Sequence, residues 1–225
     1  MKSNLKIGDS VVVKQGVKEP DLEEFEMGGW QGRVTAVDTK SDKDRILITI
    51  GWDSITLVQI PSDYIVQSEV DGFDWSSMVL YDSDVEKSVA RDTAKNVEKA
   101  KDKLEDKYYW ASLGEEGVRI SKILDGVNPH NEMKSLQKWV DYLEKELTFP
   151  IQAIVVESED NRLIKSGDIV LIKSLPHIVD MYGIIADVRI DRKKYAFPLC
   201  DLEVIDKTHT NFQLIGDYRL WFGNK

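Results

Sequence analysis

Apolar and polar residues alternate with a period of two at both ends of the chain. Before about Trp75 the alternation occurs in the short runs DSVVVKQ, GRVTAVD, RILITIGW and ITLVQIP. It returns after Pro150 in IQAIVVES, DIVLIKS, YGIIADVRI and KKYAFPLC. Short alternating runs that are broken by Gly, Asp and Pro are typical of the strands of a small all-β barrel. The pattern therefore predicts a β module at each end of the chain.

The middle of the chain has a helical period instead. The segment DVEKSVARDTAKNVEKAKDKLEDKYYW predicts a highly charged helix with one narrow apolar stripe. The stripe consists of Val85, Val89, Val97, Ala100, Leu104 and Tyr108. A later helix is predicted to begin with Asn128 as its N-cap and Pro129 at its first position. Its apolar seam consists of Met133, Leu136, Val140, Leu143 and Leu147.

The two β regions resemble copies of one plan. The matched segments are GDSVVVKQ at Gly8 with GDIVLIKS at Gly167, QGRVTAVD at Gln31 with YGIIADVR at Tyr182, and IPSDYIV at Ile60 with LCDLEVI at Leu199. This order of segments is typical of SH3-like barrels. We therefore predict an α+β chain of two small SH3-like β-barrels joined by a charged helical segment. The predicted modules are residues 1–78 and 148–225, with a helical connector at 83–147.

Charge and cysteine content narrow the classes of function. The chain has 225 residues and a formal net charge of −10, which opposes binding to nucleic-acid phosphates. Cys200 is the only cysteine, so an intramolecular disulfide and a multi-cysteine metal cage are both excluded. No apolar run has the length of a signal peptide or of a membrane span. We expect a cytoplasmic protein that binds neither nucleic acid nor membranes.

Catalytic motifs are absent from the sequence. His130, His177 and His209 lie in three separate segments without the spacing of a zinc hydrolase. No Gly-x-Ser-x-Gly elbow or phosphate-binding loop occurs, and Cys200 has the context of a buried thiol. We therefore expect a protein that is not an enzyme.

Acidic clusters carry the strongest chemical signal in the sequence. Segments that begin at Asp38, Asp71 and Glu157 have neither the sixth-position Gly nor the twelfth-position Glu of an EF-hand. Calcium also accepts six to eight oxygens from separate loops, so carboxylates at strand ends can form a site without a contiguous motif. Acidic loops are, however, mostly solvated or act as turn caps, and that interpretation remains open at this point.

The acidic candidates lie in two parts of the C-terminal module. Glu157, Glu159 and Asp160 follow the strand QAIVV, and Asp168 opens the next strand. Asp201 and Glu203 lie two residues apart after the strand KKYAFPL.

The last ninety or so residues resemble a known family. The segments WVDYLEKELTFPIQAIVVES, SGDIVLIKS, YGIIADVRIDRKKYAFPLCDLEVID and NFQLIGDYRLWFGN, within about 137–225, are similar to a small acidic calcium-binding family described in cyanobacteria. The resemblance implies a helix followed by an SH3-like barrel. It also implies calcium held by acidic side chains and backbone carbonyls without an EF-hand, and a role in buffering or signalling.

The resemblance does not say which acids are ligands. The acids within or just before the matched motifs are Asp141, Glu144, Glu157, Asp168, Asp180, Asp187, Asp201, Glu203 and Asp217. Strand ends and turns favour Glu157, Asp168, Asp201 and Glu203 as the metal ligands. The alternative is a metal-free tandem SH3-like scaffold that binds an unidentified protein partner.

The repeat suggests a difference between the two modules. By the matched segments, Asp9 corresponds to Asp168 and Asp63 to Asp201, whereas Ile65 stands where Glu203 would be. We therefore expect the N-terminal module to bind calcium weakly or not at all and to serve as a partner-binding or packing module.

Overall fold

The structure is a computed structural model, and it describes residues 4–42, 44–158 and 163–225. The chain forms two compact units, Met1–Gly114 and Glu115–Lys225, called unit 1 and unit 2 below. Within the described residues each unit contains one five-stranded antiparallel sheet together with helices. The chain is thus a mixed helix and sheet protein with two sheets, as the alternating runs at its two ends predicted.

Unit 1 places its sheet first and a long helix after it. The strands are β1 (Ser10–Val13), β2 (Gln31–Asp38), β3 (Leu47–Trp52), β4 (Ser77–Tyr81) and β5 (Val85–Lys87). The helices are α1 (Ser54–Gln59), α2 (Ser62–Asp71) and α3 (Ala94–Tyr108), with short 3-10 turns at Asp82–Asp84 and Ala111–Leu113.

In unit 2, helices both precede and follow the strands along the chain. Its elements begin with α4 (Gly114–Ile123), which starts at the unit boundary, and α5 (Glu132–Glu146). The strands are β6 (Ile151–Val155), β7 (Ile169–Val179), β8 (Gly183–Ile190), β9 (Lys193–Pro198) and β10 (Leu202–Val204), followed by α6 (Thr210–Asn224). Two 3-10 turns cover Asp180–Tyr182 and Leu199–Asp201.

None of the helices in the described part of the chain combines the length and the apolar character that crossing a bilayer requires.

The strand predicted for ITLVQIP is wrong, because this segment forms helix α1. Its β-branched residues favour a strand, but Asp53 immediately before it acts as a helix N-cap and accepts a hydrogen bond from the Thr56 amide at 2.8 Å. Arg91 holds the same carboxylate with two hydrogen bonds of 2.8 and 2.9 Å. The cap is therefore stabilised by a residue that lies 38 positions away in the chain.

The segment predicted as a helical connector, residues 83–147, contributes to both units. Near its start, β5 follows a 3-10 turn and pairs with β1, and Val89 is 83% exposed. The predicted stripe is confirmed only from Val97 onward. There its apolar residues Val97, Ala100, Leu104 and Tyr108 pack against the core of unit 1.

Helix α5 begins three residues later than its predicted start. Asn131 is the N-cap and accepts a hydrogen bond from the Lys134 amide at 3.2 Å. Asn128 instead accepts from the His130 amide and closes a turn before the helix. The buried face includes Trp139, which the predicted seam lacked, whereas Met133 is 51% exposed.

The two sheets have the same strand order. In unit 1 the order is β5-β1-β2-β3-β4, and in unit 2 it is β10-β6-β7-β8-β9. Each sheet is thus a four-stranded meander whose fifth strand returns to pair with the first. A 3-10 turn precedes the fifth strand in both units, at Asp82–Asp84 and at Leu199–Asp201.

Hydrogen bonds fix which residues correspond in the two sheets. The Lys14 amide donates to the Asp84 carbonyl at 2.9 Å, and the Val156 amide donates to the Asp201 carbonyl at 2.9 Å. Both bonds join the end of the first strand to the 3-10 turn. Asp84 therefore corresponds to Asp201.

A second pair of hydrogen bonds relates the starts of the two second strands. The Gly29 amide donates to the Val13 carbonyl at 2.9 Å, and the Gly167 amide donates to the Val155 carbonyl at 2.8 Å. Gly29 therefore corresponds to Gly167. The register irregularity also recurs at one equivalent place, directly after Val34 in β2 and after Ile172 in β7.

All three matched segment pairs used to align the repeat are wrong. QGRVTAVD forms the second strand of unit 1, whereas YGIIADVR lies at the start of the third strand of unit 2. Asp9 and Asp168 do cap the same local turn, since each carboxylate accepts from the amide three residues earlier, at 3.0 and 2.8 Å. This turn precedes the first strand in unit 1 but the second strand in unit 2. IPSDYIV begins just after α1 and runs into α2, whereas LCDLEVI forms a 3-10 turn and β10.

Candidate metal centre

The candidate acids lie at the end of the unit 2 sheet where β6 ends and β7 and β10 begin. β6 is between the other two strands, so its last residues pair on both sides. Val155 lies opposite Leu202, and its amide donates to the Asp168 carbonyl at 2.9 Å. The next amide, that of Val156, donates to the Asp201 carbonyl. The register thus brings Asp168 and Asp201 to the two sides of one strand end.

Glu157 lies two residues beyond the end of β6 at the same edge. Its side chain is exposed, and it opens the connection from β6 to β7. Glu159 and Asp160, which the sequence also placed in this connection, lie outside the described residues. Glu157, Asp168 and Asp201 therefore share one end of the sheet.

Asp168 is half-buried and already has one structural task. One of its carboxylate oxygens accepts the Lys165 amide at 2.8 Å and closes the turn in which Gly167 has a φ of 92°. Only one of the two carboxylate oxygens is used by this bond. The turn-cap interpretation and the ligand interpretation of Asp168 are therefore compatible.

Asp201 ends the 3-10 turn and lies beside the thiol of Cys200. The Cys200 Sγ and Asp201 Oδ1 atoms are 3.5 Å apart. Burial, reinforced by the Asp201 carboxylate, raises the pKa of the Cys200 thiol to about 12. Cys200 is therefore a neutral thiol at neutral pH, which does not favour a nucleophilic role.

Two cations face the Glu203 carboxylate. An Arg219 guanidinium nitrogen lies 3.5 Å from its carboxylate, and the Lys207 ammonium lies 3.8 Å away. Glu203 lies opposite Ile154 in the sheet, and the neighbouring pair of Leu202 and Val155 is buried. Because side chains alternate along a strand, the side chains of Glu203 and Ile154 point away from the core. The structure does not bring all four candidates onto one face.

The donor set matches the chemistry of calcium, which binds oxygen ligands from carboxylates and backbone carbonyls. Carboxylates and carbonyls are the groups that converge at this sheet end. In residues 4–42, 44–158 and 163–225, however, no three His, Cys, Asp or Glu side chains are already arranged around a common point that could hold a metal. The residues fit calcium by the chemistry of their donor atoms, but the described acids are not gathered around one point.

The sequence interpretation missed Arg219. It lies in helix α6, and its Nε–H donates to the Cys200 carbonyl at 2.9 Å. Nothing in the tail segment NFQLIGDYRLWFGN distinguishes this arginine, because its partners are about 20 positions earlier in the chain. The contact follows from the packing of α6 on the 3-10 turn and β10.

Asp217 is engaged elsewhere in unit 2. It is buried and accepts two hydrogen bonds from Arg119 in α4, at 2.7 and 2.8 Å. These bonds raise the pKa of the Arg119 guanidinium above its ordinary value. Asp217 therefore joins α6 to α4 and lies outside the acids at the sheet end.

Unit 1 has partial counterparts of the four candidate ligands. By the strand correspondence, Glu157 matches Gln15, Asp168 matches Trp30, Asp201 matches Asp84 and Glu203 matches Glu86. Two carboxylates are retained and two are replaced. Trp30 stacks edge-on against Trp52 and Tyr64, so an aromatic contact occupies the position of Asp168.

Comparison with known proteins finds a family match for the C-terminal part of the chain. Residues 120–222 match the family model of CcbP, described as calcium binding. Residues 120–222, called the CcbP-type region below, are therefore similar to that family. The CcbP-type region contains the whole unit 2 sheet. The family match confirms the resemblance that was predicted from about residue 137 onward. Calcium is the ion that the description of the family names.

One solved structure is similar to the CcbP-type region. The crystal structure of CcbP from Anabaena is 17% identical, covers 47% of this chain and 89% of its own, and aligns with a TM-score of 0.39. No curated protein sequence matches the chain.

Proposed function

We propose that this protein is a non-enzymatic calcium-binding protein of the buffer or sensor type. In the proposal, unit 2 binds the ion with Glu157, Asp168, Asp201 and Glu203. The observation that supports it most is that the CcbP family match covers the region in which three of these acids reach one sheet end. Glu203 joins the set only when Arg219 and Lys207 yield their contacts to it.

The architecture supports a finer proposal about fold. A meander of four antiparallel strands, with a 3-10 turn before a fifth strand that pairs with the first, is compatible with an SH3-like barrel. We propose that the chain is a tandem of two such modules. The loss of two candidate carboxylates, at Gln15 and Trp30, supports a role for unit 1 in packing or in binding a protein partner.

The proposed cytoplasmic location rests on cysteine content. A single cysteine is compatible with a reducing compartment, in which disulfides are rare. The proposed partners are calcium ions and a protein that binds unit 1. The net charge of −10 remains the argument against nucleic acid as a partner.

The test compares matched double variants of the full chain. Asp201→Asn with Glu203→Gln removes two charges from the proposed site, and Asp84→Asn with Glu86→Gln removes their counterparts in unit 1. Calcium titration is followed by isothermal calorimetry and by the melting temperature. At about 100 times the dissociation constant, a ligand stabilises the folded state by about 2.7 kcal/mol, so the calcium-dependent shift is measurable.

We expect the unit 1 double variant to keep the calcium response of the wild type and the unit 2 variant to lose most of it. Equal calcium affinity in both variants and the wild type would move the site away from Asp201 and Glu203. A melting temperature that is the same in calcium and in chelator would instead support a metal-free interaction scaffold.

A further inference from the structure

Arg219 connects helix α6 to the turn that carries Asp201. Its Nε–H donates to the Cys200 carbonyl at 2.9 Å, and a second guanidinium nitrogen lies 3.5 Å from Glu203. The Arg219 side chain is 28% exposed, so it lies partly within the protein surface. One guanidinium therefore interacts with the carbonyl next to Asp201 and with the carboxylate of Glu203, which is one of the proposed ligands.

The two residues before Arg219 hold α6 in place. Tyr218 is fully buried, and its hydroxyl oxygen accepts a hydrogen bond from the Ile184 amide at 2.8 Å. Asp217 is bound by Arg119, as described above. Consecutive residues of one helix thus contact three different elements, and the position of the Arg219 guanidinium is determined by the packing of the helix.

Unit 1 places a cation at the equivalent carbonyl. Ser83 corresponds to Cys200, and its carbonyl accepts a hydrogen bond from the Lys14 ammonium at 2.6 Å. Lys14 extends from the end of β1, whereas Arg219 extends from α6. The two units thus use side chains from unrelated positions to bring a positive charge to one carbonyl of the 3-10 turn. The turn itself is the shared feature, because its carbonyl accepts a hydrogen bond from a cationic side chain in both units.

We propose that Arg219 is the resident counter-cation of the calcium site. In the calcium-free protein it positions the 3-10 turn through the Cys200 carbonyl and neutralises Glu203, and calcium competes with it for these oxygens. This inference rests on the proposed function of unit 2. It assigns Arg219 a positioning role that also sets the calcium affinity.

Competition predicts the sign of the effect. A fixed positive charge beside the site repels an incoming divalent ion, so the removal of that charge raises calcium affinity. The same charge attracts Glu203 when calcium is absent, so its removal weakens the calcium-free fold. A purely structural arginine would instead lower calcium affinity when replaced, because the turn would lose its position.

The first test replaces Arg219 in the full chain. Arg219→Gln keeps a side-chain amide donor and removes the charge, whereas Arg219→Lys keeps the charge. Calorimetry at low salt should show about threefold to fivefold tighter calcium binding for Arg219→Gln and less than a twofold change for Arg219→Lys. The gain should shrink as salt is added, because salt screens the repulsion. In chelator, Arg219→Gln should melt below the wild type.

Lys14→Gln is the matched control, since it removes the equivalent cation from unit 1 and should leave calcium affinity within twofold of the wild type. Unchanged or weaker calcium binding by folded Arg219→Gln overturns this inference while the proposed function stands. A wild-type chain that binds no calcium overturns both.

The pH dependence of calcium affinity in a further variant separates the effect of the charge from that of the side-chain shape. Arg219→His carries a positive charge well below the ordinary histidine pKa of about 6.5 and none well above it. Between pH 5.5 and pH 8, the calcium affinity of this variant should rise about threefold more than that of the wild type. Parallel profiles for the variant and the wild type would contradict the competition, even if Arg219→Gln fails to fold.

Discussion

Unit 1 and unit 2 share a backbone plan but fill it with different side chains. The strand order, the register irregularity in the second strand and the 3-10 turn before the fifth strand are the same in both. At the sheet end, unit 2 has Glu157 and Asp168 where unit 1 has Gln15 and Trp30. The plan of the backbone is therefore separable from the chemistry of the site.

The connections differ as much as the side chains do. Between the third and fourth strands, unit 1 inserts helices α1 and α2, whereas in unit 2 only Asp191 and Arg192 separate the strands. Unit 1 thus covers its sheet with an insertion, and unit 2 uses α5 before the sheet and α6 after it. One backbone plan accommodates two ways of completing a core.

The largest expected effect concerns the buried carboxylate that each unit pairs with an arginine. Asp53 in unit 1 is bound by Arg91, and Asp217 in unit 2 is bound by Arg119. Asp53→Ala and Asp217→Ala should each cost about 3 kcal/mol, because the arginine loses its partner in a partly buried place. Amide hydrogen exchange should show the loss mainly in the unit that carries the substitution.

Asp141→Ala is the control for these two variants. Asp141 is exposed and accepts one hydrogen bond from Gln137, so we expect a change within about 0.5 kcal/mol. A cost for Asp53→Ala no larger than that of this control would show that the Arg91 contact does not stabilise α1.

A smaller effect concerns a position at which the two sheets exchange large and small residues. The facing pair Val11 and Gly32 in unit 1 corresponds to Ala153 and Val170 in unit 2. A side chain at Gly32 would collide with the Gly51 carbonyl, so Gly32→Val should destabilise unit 1 by about 2 kcal/mol. Urea denaturation of the full chain measures this loss.

Adding Val11→Ala to Gly32→Val should not restore stability, because the obstacle is backbone on the far side of Gly32. Full rescue by Val11→Ala would mean that the two sheets are interchangeable at this pair, and it would contradict the clash.

The smallest effect concerns pH and the loop between β1 and β2. Glu19 is buried and accepts hydrogen bonds from the amides of Asp21 and Leu22, and burial raises its pKa above the ordinary 4.5. A raised pKa means that this group's contribution to stability is present at low pH and is lost as pH rises through the folded-state pKa. The neutral variant Glu19→Gln should therefore be more stable than the wild type at pH 7, by less than about 1 kcal/mol.

The difference between Glu19→Gln and the wild type should disappear as pH falls toward 4.5, which melting curves at several pH values would show. A variant that is less stable than the wild type at every pH would mean that the ionised carboxylate is required for the turn.

Parts of the fold could be predicted from the sequence because their causes are local. Burial alternates from residue to residue in the strands β3 and β6, and both Gly-Asp turns were recognised from Gly8 and Gly167. The same locality caused the main error. A Gly-Asp turn forms wherever a chain reverses before a strand, so the motif does not say which strand follows. The match of IPSDYIV with LCDLEVI likewise made Ile65 the counterpart of Glu203, although the counterpart by strand pairing is Glu86.

Elements that depend on distant residues could not be predicted. The strand β5 has three residues, which is too short to show an alternating pattern in the sequence. It forms because its backbone pairs with Val11 to Val13 of β1. The helix α1 depends on a cap that Arg91 holds in place. For the candidate site, the sequence supplied the four acids and the family, whereas the contact of Arg219 with the Cys200 carbonyl required the packing of α6.

The sequence by itself determined that the chain has two β regions, an acidic character and a C-terminal calcium-binding family. These properties follow from periodicity, charge and segment identity, which are all visible along the chain. Only the tertiary structure decided which residues correspond between the units, and that Glu203 faces two cations while Glu157, Asp168 and Asp201 share a sheet end. Strand register pairs residues that are tens of positions apart in the chain, and no local sequence pattern specifies which residues pair.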